Sequence, residues 1–302
     1  MTSTALQDQP SRVALETFSV AESSLTVESL TDEHKAETLA FLSARPLHTV
    51  FLAGFIHDYG LESQMNRGVF YACRNSQGDI EGVAMIGNVI LFETESPAAL
   101  KTFSRVAQDC NFARVILGEQ KKVEQFWRHY SGGGQSPRRR HRQLLFEQRW
   151  PIEARELVVG LRRAMPADLS LILPVNDELV FEESGEHPMK IDPAGFERRW
   201  LHRIEQGRVL IWIKNGRLIF NVGIICETPD VVYIEGVYVH PEERGKGYGV
   251  RCLSQIGRSL LKRDQSVCLL ANENNSKAHT FYRTAGYRLR GYYDTIFLNR
   301  EN

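Results

Sequence analysis

The chain has 302 residues, 42% of them hydrophobic and 25% charged, the profile of a globular protein with length for about two domains. Lysine plus arginine equals aspartate plus glutamate, at 37 each, so no global field argues for a nucleic-acid partner. No apolar run approaches the roughly 20 residues of a membrane span, and the N-terminus shows no charged-then-apolar secretory pattern. Residues 1–26 read as a flexible leader. The five cysteines (Cys73, Cys110, Cys226, Cys252, Cys268) form no C-x-x-C pair. Four of them sit in apolar stretches and read as buried thiols, so a cytoplasmic setting is expected.

Structure is expected from Val27 onward. Asp32 to Ala44 has apolar residues at helical spacing, with Thr31 as its cap and Arg45-Pro46 as its stop. Val50 to Tyr59 reads as a second helix stopped by Gly60. Gly68 to Arg74 and Ile80 to Ile86 read as a hairpin, followed by a strand at Val89 to Phe92. A helix at Pro97 to Gln108 buries Leu100, Phe103 and Val106. Ala113 to Leu117 reads as a strand, Val123 to Tyr130 as a helix, and Leu144 to Phe146 as a closing strand. The run Arg138 to Arg142 after a glycine loop reads as a solvated loop, ahead of a phosphate or nucleic-acid patch.

A second cycle begins near Glu156. Leu157 to Arg162 reads as a strand, and helices follow from Met165 toward Val180 and over Pro193 to Gln206. Val209 to Ile213 and Leu218 to Cys226 form a hairpin about Asn215-Gly216, the strongest short hairpin signal. Val231 to Val239 is an apolar strand that runs into Arg244-Gly245-Lys246-Gly247-Tyr248-Gly249. A helix from Gly247 to Arg263 follows, then a strand at Val267 to Ala271, a helix at Ser276 to Thr284 and terminal strands at Tyr287 to Leu298. The two cycles share one element order, which points to an internal duplication of fold over residues 27–155 and 156–302.

The glycine turn is the first chemical signal. Glycines permit positive φ and close approach of a ligand to the main chain. The first amides of the following helix lack internal partners and lie at the positive end of its dipole, so the turn reads as a pyrophosphate cradle. It fits neither G-x-x-x-x-G-K-[ST] nor G-x-G-x-x-G. The first cycle has Glu93, Glu95 and Pro97 at the corresponding place. Two carboxylates there are expected to repel a phosphate.

Downstream, Asn275 to Tyr287 reads N-x-x-A-x-x-x-Y-x-x-x-G-[FY] after an apolar strand. With R-x-x-G-x-G before it, in that order and spacing, the chain resembles the GNAT acyltransferase superfamily over about Leu157 to Leu298. As a whole it resembles two-domain bacterial GNAT proteins with a degenerate first half. The resemblance implies an α/β (α+β) fold of tandem GNAT-like domains, each a mixed, mostly antiparallel sheet flanked by helices. It also implies acetyl-CoA as co-substrate, with no metal. The pantetheine arm would run along Val237, Tyr238 and Val239, and the pyrophosphate would sit on Arg244, Gly245, Lys246, Gly247, Tyr248 and Gly249. Asn275 would bond to backbone or to the pantetheine, and Ala278 would keep the helix face small.

By the same resemblance Tyr282 is the general acid; the alternative is a core tyrosine. Glu235 is the candidate base, against an outward-facing strand carboxylate. Glu182, Glu183, Glu186 and His187 form a polar cluster in the region that lines the acceptor site in the family. His240 reads as structural. The expected function is N-acetyl transfer to a primary amine by direct attack in a ternary complex, in a monomer or homodimer. The alternative is an acyl-CoA-binding sensor or scaffold without turnover.

Overall fold

A computed structural model describes residues 25–133, 136–152, 156–261 and 266–299. The leader up to residue 24, and Lys262 and Arg263 of the helix expected from the sequence, lie outside the described residues. The strands are β1 (Thr26–Ser29), β2 (Gly68–Arg74), β3 (Ile80–Gly87), β4 (Val89–Thr94), β5 (Val115–Glu119) and β6 (Arg139–Gln148), then β7 (Arg162–Arg163), β8 (Val209–Lys214), β9 (Arg217–Glu227), β10 (Val231–Val239), β11 (Ser266–Asn272) and β12 (Arg288–Phe297). The helices are α1 (Lys35–Ser43), α2 (Pro46–Tyr59), α3 (Pro97–Gln108), α4 (Gln120–Tyr130), α5 (Leu169–Ser184), α6 (Pro188–Ile191), α7 (Pro193–Glu205), α8 (Tyr248–Leu260) and α9 (Ser276–Thr284).

Local chemistry sets most of these boundaries. Pro46 opens α2 at its first position, where a missing N–H costs nothing, and Gly60 closes it with φ +77°. Asn215 and Gly216 both have positive φ, as a two-residue hairpin between β8 and β9 requires. Two expectations fail. The closing strand of the first cycle is ten residues long, Arg139–Gln148, so most of the arginine run is strand and not loop. The expected strand at Leu157 to Arg162 shrinks to Arg162–Arg163, and Val159 is 90% exposed.

All the described strands form one sheet, in the order β1-β2-β3-β4-β5-β12-β6-β11-β10-β9-β8-β7. The order reads the same from either edge when each strand of the first cycle is swapped for its counterpart in the second. The last strands are exchanged: β12 pairs with β5 of the first cycle, β6 pairs with β11 of the second, and β6 and β12 pair antiparallel with each other. Each cycle is mostly antiparallel, with the parallel pairs β4–β5 and β10–β11.

Helices cover both faces. In the first cycle Leu42, Leu52 and Ile56 pack on Phe70, Ala72 and Val83, while Leu100, Phe103 and Phe126 pack on Ala84 and Ile86 from the other side. In the second, Ile172, Phe196 and Trp200 cover Val209 and Ile211, and Leu253 and Ile256 cover Val222, Val232 and Ile234. α2 crosses the boundary between the cycles. Its Val50 joins Cys226, Val231 and Tyr233 in one cluster, and Phe51 packs on Tyr233 with ring centroids 4.4 Å apart. Among the described residues no helix is long and apolar enough to cross a membrane.

Candidate active site

The site begins with a parallel pair that comes apart. β10 and β11 stay in register only over Val231↔Ser266, Val232↔Val267 and Tyr233↔Cys268. Beyond Tyr233, β11 continues beside β6 as far as Asn272, whereas β10 leaves it. A bulge in β10 drives the divergence. Glu235 faces Gly223 and Tyr238 faces Asn221, so three steps on one strand oppose two on the other. Gly236 takes φ +67° there, and a Cβ on it would stand 2.8 Å from Asn176 Oδ1. Asn221, fully buried, donates to the Gly236 carbonyl at 3.0 Å and fixes the bulge. The backbone of Val237, Tyr238 and Val239 therefore lines a gap open toward β11, as an added extended chain would need. A glycine inside an apolar strand was the sequence signal for this bulge.

The gap leads to the glycine turn. Gly245 and Gly247 both have φ +79°, and a Cβ on either would meet nothing within 4 Å. The left-handed backbone, not crowding, calls for glycine there, and the space above the turn is open. Gly247 is the N-cap of α8 and no side chain caps the helix, so its first amides stay available. Gly249 is required for a different reason: a Cβ on it would come within 2.9 Å of Phe281 and Val239. Lys246 pairs with Glu243 at 3.0 Å, and Arg244 donates to the Val239 carbonyl at 3.0 Å. Much of the side-chain charge of the turn is thus engaged locally, and the backbone is its main anion-binding resource. Tyr248 packs edge-on against Trp212 at 4.9 Å. These residues fit the pyrophosphate of a nucleotide-bearing thioester.

Opposite the turn stands α9. Asn275 caps it, its carboxamide oxygen accepting from Ala278 N at 3.0 Å, so that oxygen serves the backbone. Ala278 is half-buried against the core of the second cycle. Tyr282 is 8% exposed, its ring packed among Phe146, Phe281 and Tyr287. It is part of the core as well as of the candidate site. Burial raises its phenol well above the ordinary value, so it keeps its proton at neutral pH.

Glu235 lies just before the bulge. Its carboxylate reaches solvent, yet it lies in a cleft with protein crowded around it. Crowding raises its pKa and the nearby Arg203 guanidinium pulls it partly back. Glu183, near the end of α5, is within electrostatic reach and is raised to about 7, by burial first and then by the charge of Glu235. Two carboxylates that share a site cannot both ionise at ordinary acidity. Gln143 steadies Glu183, donating from Nε2 at 2.7 Å, and Thr295 Oγ1 donates to Gln143 Oε1 at 2.6 Å. Gln143 belongs to β6 and Thr295 to β12, so the two exchanged strands hold a carboxylate of the candidate site. Neither residue was singled out in the sequence, because only the strand exchange brings them there.

The remaining members of the polar cluster separate. Glu182 is exposed. His187 Nδ1 meets Asp177 Oδ2 at 2.8 Å and its ring stacks on Phe181 at 4.0 Å. Glu186 stands 3.7 Å from Arg138. The arginine run is tied into the fold: Arg138 donates to the Ser184 carbonyl at 2.9 Å, and Arg140 and Arg142 both engage the buried Asp294. His240 packs edge-on to Tyr238 at the rim, and its Nδ1 is buried without a partner among the described residues.

The first cycle has the same splay without the cradle. β4 and β5 pair only at Val89↔Val115 and Ile90↔Ile116 before diverging. β4 pairs with β3 in unbroken register, so it has no bulge. Ser96 caps α3 by accepting from Ala99 N. Glu93 is 5% exposed, and both Arg45 and Lys122 pair with it and with Glu95 at 2.8 Å. Arg45 also reaches Glu119 at 2.8 Å, and His48 bonds to the Tyr293 hydroxyl at 3.0 Å. The expectation that two bare glutamates would repel a phosphate is corrected: the carboxylates are neutralised, and side chains fill the splay. The cavity left among His48, Phe51, Glu93, Glu119 and Tyr293 measures only about 20 Å³.

Comparison with known proteins bears on the fold. Residues 222–296 match the family described as FR47-like protein. A GCN5-related N-acetyltransferase from Sphaerobacter thermophilus superposes with TM-score 0.58 at 16% identity, covering 92% of this chain and 96% of that one. A tandem GNAT protein from the clavulanic acid biosynthesis pathway gives TM-score 0.56 at 12% identity, covering 92% and 100%. A Drosophila protein gives 0.64 at 11% identity, covering 91% and 99%. No curated protein matches the sequence. The chain carries the GNAT fold, in tandem.

Proposed function

We propose that the protein is an N-acetyltransferase that moves an acetyl group from acetyl-CoA to a primary amine by direct attack in a ternary complex. The observation that carries the reading is the combination, in the second cycle alone, of an open splay, an uncapped helix terminus under two positive-φ glycines and a carboxylate at the bulge. The pantetheine would pair with the β10 backbone at Val237 to Val239, and the pyrophosphate would take the amides of Arg244 to Gly249. Glu235 accepts a proton from the acceptor ammonium, which frees its lone pair. The amine nitrogen bonds to the thioester carbonyl carbon, and the C–S bond breaks with its electron pair on sulfur. Tyr282 then protonates the departing thiolate, and the second proton shed by the acylated nitrogen restores the phenol, through solvent. An amide N–H near Val237 or Tyr238 would polarise the carbonyl. Direct transfer is favoured because burial pushes the thiols of Cys226 and Cys252 up to about 12, leaving no thiolate nucleophile there.

The test is CoA release, followed with a thiol reagent across an amine panel, for wild type and Tyr282→Phe. The variant is expected to bind acetyl-CoA nearly as well and to turn over at least about 100-fold more slowly, in the range of a lost general acid. Unchanged turnover would remove Tyr282 from the mechanism. Acetyl-CoA binding without release on any amine would move the reading to an acyl-CoA sensor.

A further inference from the structure

The end of α2 touches α7, and a group of arginines lies about that contact. Tyr59, the last residue of α2, stacks on His202 at 6.5 Å, and Asp58 pairs with Arg208 at 2.5 Å. Arg203 comes next on α7, its guanidinium 5.2 Å over the Trp200 ring. Trp200 packs beneath the bulge: it lies 3.4 Å from where a Cβ on Gly223, the strand partner of Glu235, would stand. Arg203 therefore flanks Glu235. Arg67, from the first cycle, is held by a 2.8 Å bond to Asn88 and stands within electrostatic range of both Arg199 and Arg203. Among the described residues Arg199 has a carboxylate partner, Asp192 at 3.2 Å, while neither Arg67 nor Arg203 has one within 4.0 Å.

Three like charges drawn together from two cycles oppose folding. Glu235 and Asp192 offset part of that charge from a distance, and a guest anion would engage the forks of Arg203 and Arg67, which among the described residues have no carboxylate within 4.0 Å. Guanidinium forks suit a planar carboxylate better than any other small anion-binding side chain does. Glu235 lies on the same wall, as the group that would receive a proton from an ammonium. The cleft is thus dipolar over a short span, cationic toward α7 and anionic toward Glu235 and Glu183.

We propose that the acceptor is a free amino acid, whose carboxylate is received by Arg203 with Arg67 and Arg199 while its amine stands at Glu235. This rests on the transfer reading above and narrows its acceptor. The bonds made and broken are those already given; the carboxylate is held and does not react. It also gives the first cycle a part in the site, since Arg67 would reach the substrate from there.

The experiment compares a panel of free amino acids with their decarboxylated amines, by CoA release. Wild type is expected to favour the amino acid of at least one pair by 10-fold or more in kcat/KM. Arg203→Gln is expected to reduce that preference by about 10- to 100-fold, the worth of a hydrogen bond to a charged group. Arg67 is exposed, so Arg67→Gln repeats the test without touching the core. Equal use of amines and amino acids by wild type, or a preference unmoved in both variants, overturns the proposal while leaving acetyl transfer intact. If wild type releases CoA with no acceptor at all, the transfer reading fails, and calorimetric titration with the same amino acids decides this inference alone. Binding that is weakened in Arg67→Gln supports the carboxylate site, and absence of binding overturns it.

Discussion

Replacing Glu183 by Gln should make the protein more stable at pH 8 and leave it nearly unchanged at pH 5. In the folded chain the Glu183 carboxyl is raised from the ordinary 4.5 to about 7. Below about pH 4.5 it is protonated both folded and unfolded, and contributes nothing to the difference. Between 4.5 and 7 the folded state keeps a proton that the unfolded state gives up, so stability falls as pH rises; above 7 the cost is complete. A displacement of that size corresponds to roughly 3 kcal/mol at about 1.4 kcal/mol per pH unit. Solvent reaching the cleft at Glu235 reduces this, so we expect about 1–2 kcal/mol. Glutamine is nearly isosteric, and its carbonyl oxygen still accepts from Gln143 Nε2, so little else changes. Urea denaturation of both proteins at pH 5, 6, 7 and 8 measures it. The gap between variant and wild type should open across that range. A gap of constant size, or a variant less stable at pH 8, would refute the shared-site argument. Glu183 still carries its proton where Glu235 ionises, so the acidic limb of the pH–rate profile should stay in place in the variant.

Two further expectations concern the frame of the site. Gly247→Ala forces a side chain into φ +79°, which costs about 1 kcal/mol; the KM for acetyl-CoA should rise several-fold, with turnover at saturation little altered. Arg45→Leu leaves the buried Glu93 with Lys122 and the half-buried Glu119 with Lys122 and His48, and thermal or urea unfolding should show a loss of about 3 kcal/mol. Adding Glu93→Gln and Glu119→Gln should recover most of it. If the triple variant is as unstable as the single one, the cluster is not the electrostatic unit described.

The turn, the strand that leads into it and the helix opposite it were legible because their chemistry is local. Glycines at Gly245 and Gly247 demand a particular backbone, and Val231–Val239 and Ser276–Thr284 carry their own periodicity, so their bounds agree with the sequence reading. β6 was shortened because Arg140 and Arg142 look like loop residues until their partner, Asp294, is known; it lies about 150 positions away. The same distance hid Gln143, an ordinary residue at the head of an apolar run that acquires its role from the helix above it and the strand beside it. Arg203 was invisible for a related reason: helix periodicity places it near Trp200, and nothing in the sequence says that Arg67 will approach from the other cycle. Glu235 was marked by its position before the turn, whereas its coupling to Glu183 required the packing of α5.

The exchange of β6 and β12 also sets an order of events in folding. β12 follows every other described strand in the chain, yet it occupies the middle of the sheet, between β5 and β6. Until it arrives, β5 and β6 each present a raw edge that invites pairing with another chain. Contacts between residues about 150 apart in sequence are slow to form. Nascent chains should therefore pass through a stage in which two incomplete halves wait side by side, each holding the strand the other lacks. A neighbouring copy in the same condition could accept that strand instead, so the centre of the sheet is where misassembly would begin.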